Sequence, residues 1–187
     1  ASRPPVRVKC TSVSASRRSS VREADASVNT RRPALVTPSG PVITTGAYAL
    51  RRAGLMSESD ALLKANLAKS HSPYYLMSAL ASNAKARGDK TLALRWYEEA
   101  YRTSQGPATR LQWGASYVNA LIELSPQDTA RIERAASDLI ADAAKQPNAF
   151  YERSARSLQS AARKLQAWNA NGAHADSIKR LQTQLGA

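Results

Sequence analysis

The sequence predicts an all-α chain: a right-handed stack of about four antiparallel helical hairpins behind an irregular N-terminal segment. Three observations predict it. The apolar residues make up 43% of the 187-residue chain and are mostly Ala and Leu, while aromatic residues make up 6%. That composition suits helices packed closely on helices. Strand formers are sparse beyond residue 45, so a sheet has little to be built from. Finally, Pro, Gly and Ser recur at regular intervals as helix starts and stops.

Residues 1–43 come first and read differently from 44–187. "TSVSASRRSS" and "NTRRPALVTPSGP" are rich in Ser, Thr, Arg and Pro and carry no sustained period of 2 or 3.6. Such a segment buries too little apolar surface to offset its ordering entropy, so the expectation is a mostly disordered stretch. Its early part is Arg- and Ser-rich with no acid before Glu23, the composition of an organelle transit peptide. A remnant of an expression vector or a misassigned start of the reading frame fits equally.

From residue 44 the pattern predicts eight helices, near 44–54, 57–70, 73–87, 90–105, 107–124, 127–145, 147–169 and 173–185. "SESD" from Ser57 reads as a cap for the second. "HSPYY" places Ser72 at an N-cap and Pro73 at the first helical position, where a missing N–H costs nothing. "LSPQD" reads the same way with Ser125 and Pro126, and Asp128 completes an approximate capping box. Pro107 and Pro147 mark two further starts. Breaks between helix partners fall at Gly54-Leu55, Gly88-Asp89, Leu124-Ser125 and the "NANG" of 169–172. Helices joined by such short turns are expected to fold back on each other.

An internal repeat underlies this punctuation. Pro73 and Pro107 are 34 residues apart, and Leu80-Ala81 and Trp113-Gly114 are 33 apart. In the first unit Leu80, Ala81, Gly88, Ala93, Tyr97, Ala100 and Pro107 fall at the spacing of the tetratricopeptide (TPR) signature. The second unit begins with Trp113, Gly114 and Tyr117. The physical expectation is close approach at Ala81 and Ala93, a turn at Gly88, and Tyr97 filling the groove against the next hairpin. The chain thus resembles an irregular TPR-like array. The resemblance is good over 74–107 and half as good over 108–147. It is degenerate over 44–73, where Ala61, Ala68 and Pro73 match, and over 148–187. An ordinary helical bundle using the same small residues is the alternative. Residues 70–128 also resemble the helical C-terminal region of bacterial thioredoxin-fold, disulfide-isomerase-like proteins, with 44–168 covered. That resemblance implies an accessory interaction module and a periplasmic setting. The redox Cys-x-x-Cys of that family has no counterpart here, because Cys10 is the single cysteine.

The sequence holds no catalytic constellation. Glu98 and Glu99 are adjacent and on a helix point about 100° apart, so they cannot flank one bond. His71 and His174 have no partner at metal-ligand spacing. No cofactor motif or phosphate loop is present, and no apolar run approaches the ~20 residues of a membrane span. The expectation is a non-catalytic protein–protein interaction module without metal or cofactor. TPR-like arrays bind peptides on the concave face made by the first helix of each hairpin. Carried onto this chain, that resemblance implies a peptide face of Tyr75, Ser78, Ser82, Lys85, Leu111, Ala115, Val118 and Asn119. A stacking surface for a neighbouring domain is the plain alternative.

The net charge of +13, from 27 basic and 14 acidic residues, raises a rival reading. Eight of the basic residues and two of the acids lie in residues 1–40. Farther along, opposite charges interleave and cancel within a Debye length of about 8 Å. The expectation is therefore weak, salt-sensitive nucleic-acid binding through the basic segment at most. Tyr74-Tyr75 and Trp96-Tyr97 offer stacking surfaces for bases, but at helix spacing they read first as core.

Overall fold

The structure, a computed structural model, describes residues 40–186. The expectation for residues 1–39 lies outside them. The described chain is helical throughout, with no strand among its residues. It forms α1 (Gly40–Arg52), α2 (Met56–Asn66), α3 (Pro73–Ala86), α4 (Lys90–Thr103), α5 (Pro107–Leu124), α6 (Thr129–Ala144), α7 (Glu152–Trp168) and α8 (Ala175–Leu185), with short 3-10 turns at Leu67–Lys69 and Ala170–Gly172.

Helix α1 starts at Gly40, four residues before the expected boundary. It buries Ile43 and Ala47, one turn apart, and stops at Gly54, whose φ of +82° lets Leu55 N–H reach back to Leu50 O. The expected cap at Ser57 does not form, because α2 has already begun at Met56. Ser59 is buried instead and donates to Ala47 O at 2.8 Å, tying α2 to α1. Pro73 opens α3 as expected. The Ser72 hydroxyl accepts from Tyr74 Oη rather than from a helix N–H. At Gly88, with φ +80°, the chain turns directly into α4, and Asp89 caps it by accepting from Leu92 N–H at 3.0 Å.

Two predicted starts moved. Ser125 caps the end of α5 rather than the start of α6, and Asp128 takes the N-cap, accepting from Arg131 N–H at 3.2 Å. A carboxylate three residues before a free N–H captured the role assigned to the Ser-Pro pair. Pro147 opens a turn rather than a helix, and α7 begins at Glu152.

Helix α3 packs on α4 and α5 packs on α4 and α6. Along one side α1 meets α3 and α5 meets α7; along the other α6 meets α8. The core forms two clusters. The smaller centres on Ile43, Leu63, Leu76 and Leu80; burying each of these leucines contributes about 1.5–3 kcal/mol. The larger runs from Tyr74 through α5 to Leu181. Ala81, Ala93 and Ala100 are fully buried. At Gly114 an added Cβ would stand 3.0 Å from both Leu139 and the Tyr101 ring, so only a hydrogen fits there without displacement. Tyr97 is half-buried at the margin of this core. Tyr101, one turn on, is the buried aromatic of α4.

Candidate functional site

The odd-numbered helices share one face, and a groove runs across it. Between α1 and α3 it is a cleft of about 300 Å³ lined by Tyr48 and Arg51 of α1, Ser78 and Ser82 of α3, and Trp113 of α5. Between α5 and α7 it widens to about 520 Å³, lined by Gln112, Ser116 and Asn119 of α5 and by Arg153, Arg156 and Ser160 of α7. Tyr75 lines both clefts and joins them. It is 43% exposed, although large aromatic side chains ordinarily bury more. Its ring stands edge-on to Trp113 with centroids 5.4 Å apart, which fixes it as a platform between the two clefts.

The local sequence explains the lining. On α5, Gln112, Ser116 and Asn119 recur at helical spacing between fully buried Leu111 and Val118. On α7, Arg153, Arg156, Ser157 and Ser160 make an i, i+3, i+4, i+7 stripe that meets them. Asn119 Nδ2 donates to Ser160 Oγ at 3.1 Å and so fastens α5 to α7 at the floor. Three polar atoms there are buried without a hydrogen-bond partner: Gln112 Oε1, Trp113 Nε1 and Asn119 Oδ1. They are the complete set among the described residues, and every one belongs to a residue lining this groove. Trp113 is 6% exposed, so its indole N–H is withdrawn from water as well.

The charges on the two faces differ. None of the residues lining the groove is acidic. Arg153 and Arg156 are exposed and form no ion pair among the described residues, and Arg51 lies over the Tyr48 ring at 5.3 Å. On the opposite side two arginines of the α4–α5–α6 junction, Arg110 and Arg131, are matched. Arg110 pairs with Asp142 at 2.9 Å, and Arg131 pairs with Glu98 at 2.7 Å while its Nε donates to Tyr117 Oη. Burial there pushes the Tyr117 hydroxyl up to about 12, against the opposing pull of Arg131. Burial also raises Tyr101, helped by its hydrogen bond to Asp142. Burial alone would raise Asp142 too, but the bonds from Tyr101 and Arg110 outweigh it and hold the carboxyl below its ordinary value. This junction is a closed ionic brace.

Of the eight residues expected on a peptide face, Tyr75, Ser78, Ser82, Ala115 and Asn119 line the groove. Leu111 and Val118 do not. Both are fully buried, because α5 is packed by α4, α6 and α7 and has little side left for solvent. Lys85 lies outside both clefts and pairs with Glu123 at 2.6 Å. Sequence reasoning missed Tyr48, Arg51, Gln112, Ser116, Arg153 and Arg156. Four of these stand on α1 and α7, where the repeat signature is degenerate. The i, i+3 arginines of α7 were a signal that spacing alone could have supplied.

Among the described residues no group of His, Cys, Asp and Glu is placed to hold a metal ion, and no helix is long and apolar enough to cross a membrane. Compared with protein-family models, curated proteins and solved structures, the chain matches none.

Proposed function

We propose that this chain is a non-catalytic protein-interaction module of TPR-like design, which holds a peptide segment of its partner in the groove across α1, α3, α5 and α7. The TPR-like reading is supported by the 34-residue spacing of Pro73 and Pro107, and by α1 meeting α3 and α5 meeting α7, while α6 meets α8. The resemblance to the helical part of thioredoxin-fold, disulfide-isomerase-like proteins adds an accessory role to this reading.

One observation carries it. Every buried polar side-chain atom without a partner, among the described residues, belongs to the lining of this groove. An unpaired buried polar group costs about 1–3 kcal/mol, so such groups are rare unless something else satisfies them. A peptide backbone offers alternating N–H and C=O groups, the complement of two bare acceptors and one bare donor.

The test is selection from a random peptide library displayed on phage, with the full chain as bait. Enriched sequences are expected, and they should lose binding to S82R/S116R, which fills both clefts from half-buried serines of their lining. No enrichment, or equal binding by the double variant, would sink the proposal. Circular dichroism of the variant checks that its helices are intact.

A further inference from the structure

Resting on the peptide-binding reading of the groove, we propose the chemistry of the segment: an extended, acidic stretch, with carboxylates on Arg153 and Arg156 and backbone N–H groups on the amide oxygens of Gln112 and Asn119.

The described residues form ion pairs at Lys85, Arg87, Arg110, Arg131, Lys145 and Arg180, each with an acid at hand. Arg153 and Arg156 line the groove with no acid among its walls. Standing three residues apart on α7, they are neighbours on one face and present two guanidinium forks at the same wall. A guanidinium matches a carboxylate through paired N–H···O bonds, and a partly enclosed cleft strengthens such bonds over those in open water.

The unpaired atoms choose between two kinds of anionic chain. A phosphodiester backbone carries acceptors and no donors, so it would set its oxygens against Gln112 Oε1 and Asn119 Oδ1. A peptide in extended conformation brings an N–H at every residue and satisfies both. The amide of Asn119 is already oriented by its Nδ2 bond to Ser160, which leaves Oδ1 for the ligand.

Length follows from the helices. The α1–α3 and α5–α7 pairs, each about 8–10 Å between axes and joined at Tyr75, give a groove of roughly 30 Å, which an extended strand covers in about ten residues. Arg51, over the Tyr48 ring, stands at the α1 end and takes a further carboxylate there.

The experiment is fluorescence anisotropy with the full chain and an end-blocked, labelled peptide of about ten residues alternating Glu and Ser. Three comparisons accompany it: the same peptide with Gln for Glu, a single-stranded oligothymidylate of equal charge, and two charge-reversed variants. R153E/R156E changes the groove. R95E/R102E makes the same change in net charge at two exposed positions of α4. The expected result is binding of the Glu peptide that weakens at least tenfold in R153E/R156E, the scale for losing charge-assisted hydrogen bonds, and stays within about twofold in R95E/R102E. The Gln peptide should bind at least tenfold more weakly. Equal losses in the two variants would mean the peptide senses net charge alone, and the proposal fails. Tighter binding of the oligothymidylate, lost in R153E/R156E, would overturn it in favour of nucleic acid. No binding of the Glu peptide, with acid-free sequences enriched from the phage library, would reject the acidic class and leave the peptide-binding reading standing.

Discussion

Tyr101 donates its hydroxyl hydrogen to Asp142 Oδ2 at 2.8 Å, and so α4 is tied to α6 across α5. The same carboxylate oxygen accepts from Arg110 Nε at 2.9 Å, while Arg110 lies over the Tyr101 ring at 4.9 Å. Three side chains from three consecutive helices thus close on one another beside Gly114. The brace fixes the back of the helical stack, against which the groove is built.

Tyr101→Ala should therefore destabilise the fold by about 3–5 kcal/mol, the range for emptying a buried aromatic site. Tyr97→Ala, one turn earlier and half-buried, should cost about 1–2 kcal/mol. Tyr101→Phe keeps the ring and loses the hydroxyl bond, a cost of about 1–2 kcal/mol. Urea unfolding of the three variants checks the order, and a Tyr97→Ala loss equal to that of Tyr101→Ala would refute it.

Gly114→Ala should destabilise by about 1–3 kcal/mol, because the added methyl meets Leu139 and the Tyr101 ring at 3.0 Å. A thermal melt measures this. A variant as stable as the parent would show that the α4–α5–α6 junction yields freely.

Asn83 holds the first three helices together. Its Nδ2 donates to Ser59 Oγ at 2.9 Å and to Asp60 Oδ1 at 2.8 Å, and Ser59 in turn donates to Ala47 O. Asn83→Ala strands buried acceptors and should cost about 1–3 kcal/mol. Asn83→Asp should be no better, since it replaces the donor with a second carboxylate beside Asp60. Denaturant unfolding of the two variants settles the matter.

The Glu133–Arg180 pair gives a pH dependence. The hydrogen bond from Arg180 lowers the Glu133 carboxyl from 4.5 to about 2. A depressed carboxyl stabilises the fold fully above its unfolded value and loses that contribution as pH falls through the folded value. The window is thus from about 4.5 down to about 2, and solvent screening at the exposed Arg180 keeps the effect small. Glu133→Gln should be slightly less stable than the parent at pH 7, and the two should converge at pH 2. A constant difference would mean the carboxyl does not titrate in this range.

The helices were legible because punctuation and composition agree: Gly88 stops α3, Asp89 caps α4, and Pro73 and Pro107 sit at first helical positions. The failures share one cause. Ser125-Pro126 and Gln146-Pro147 look like helix starts, yet a local pattern cannot tell a proline opening a helix from one lengthening the turn before it. At Asp128 a carboxylate won the cap. The groove was half legible. Tyr75, Ser78, Ser82, Ala115 and Asn119 followed from repeat register on α3 and α5. Leu111 and Val118 were placed on the surface by that same register, and the burial of α5 among three neighbours, a long-range property, overrode it. Arg153 and Arg156 lay where no register reached.

Helices α7 and α8 rest on different neighbours, α5 and α6, and an apolar cleft of about 370 Å³ lies between them. At the turn joining them the Trp168 indole stacks on the His174 ring at 3.7 Å and donates to Pro126 O. The last helix is therefore attached by its α6 contact and by one aromatic clasp, while the wall bearing Arg153 and Arg156 is attached elsewhere. Fluctuations that release a segment favour the one with the least burial to give up. Among the described helices α8, which buries only Ser177 and Leu181, is one such segment. Its release would uncover the apolar face of α7 that lines the 370 Å³ cleft and leave the α5–α7 contact, and with it the Arg153–Arg156 wall, in place.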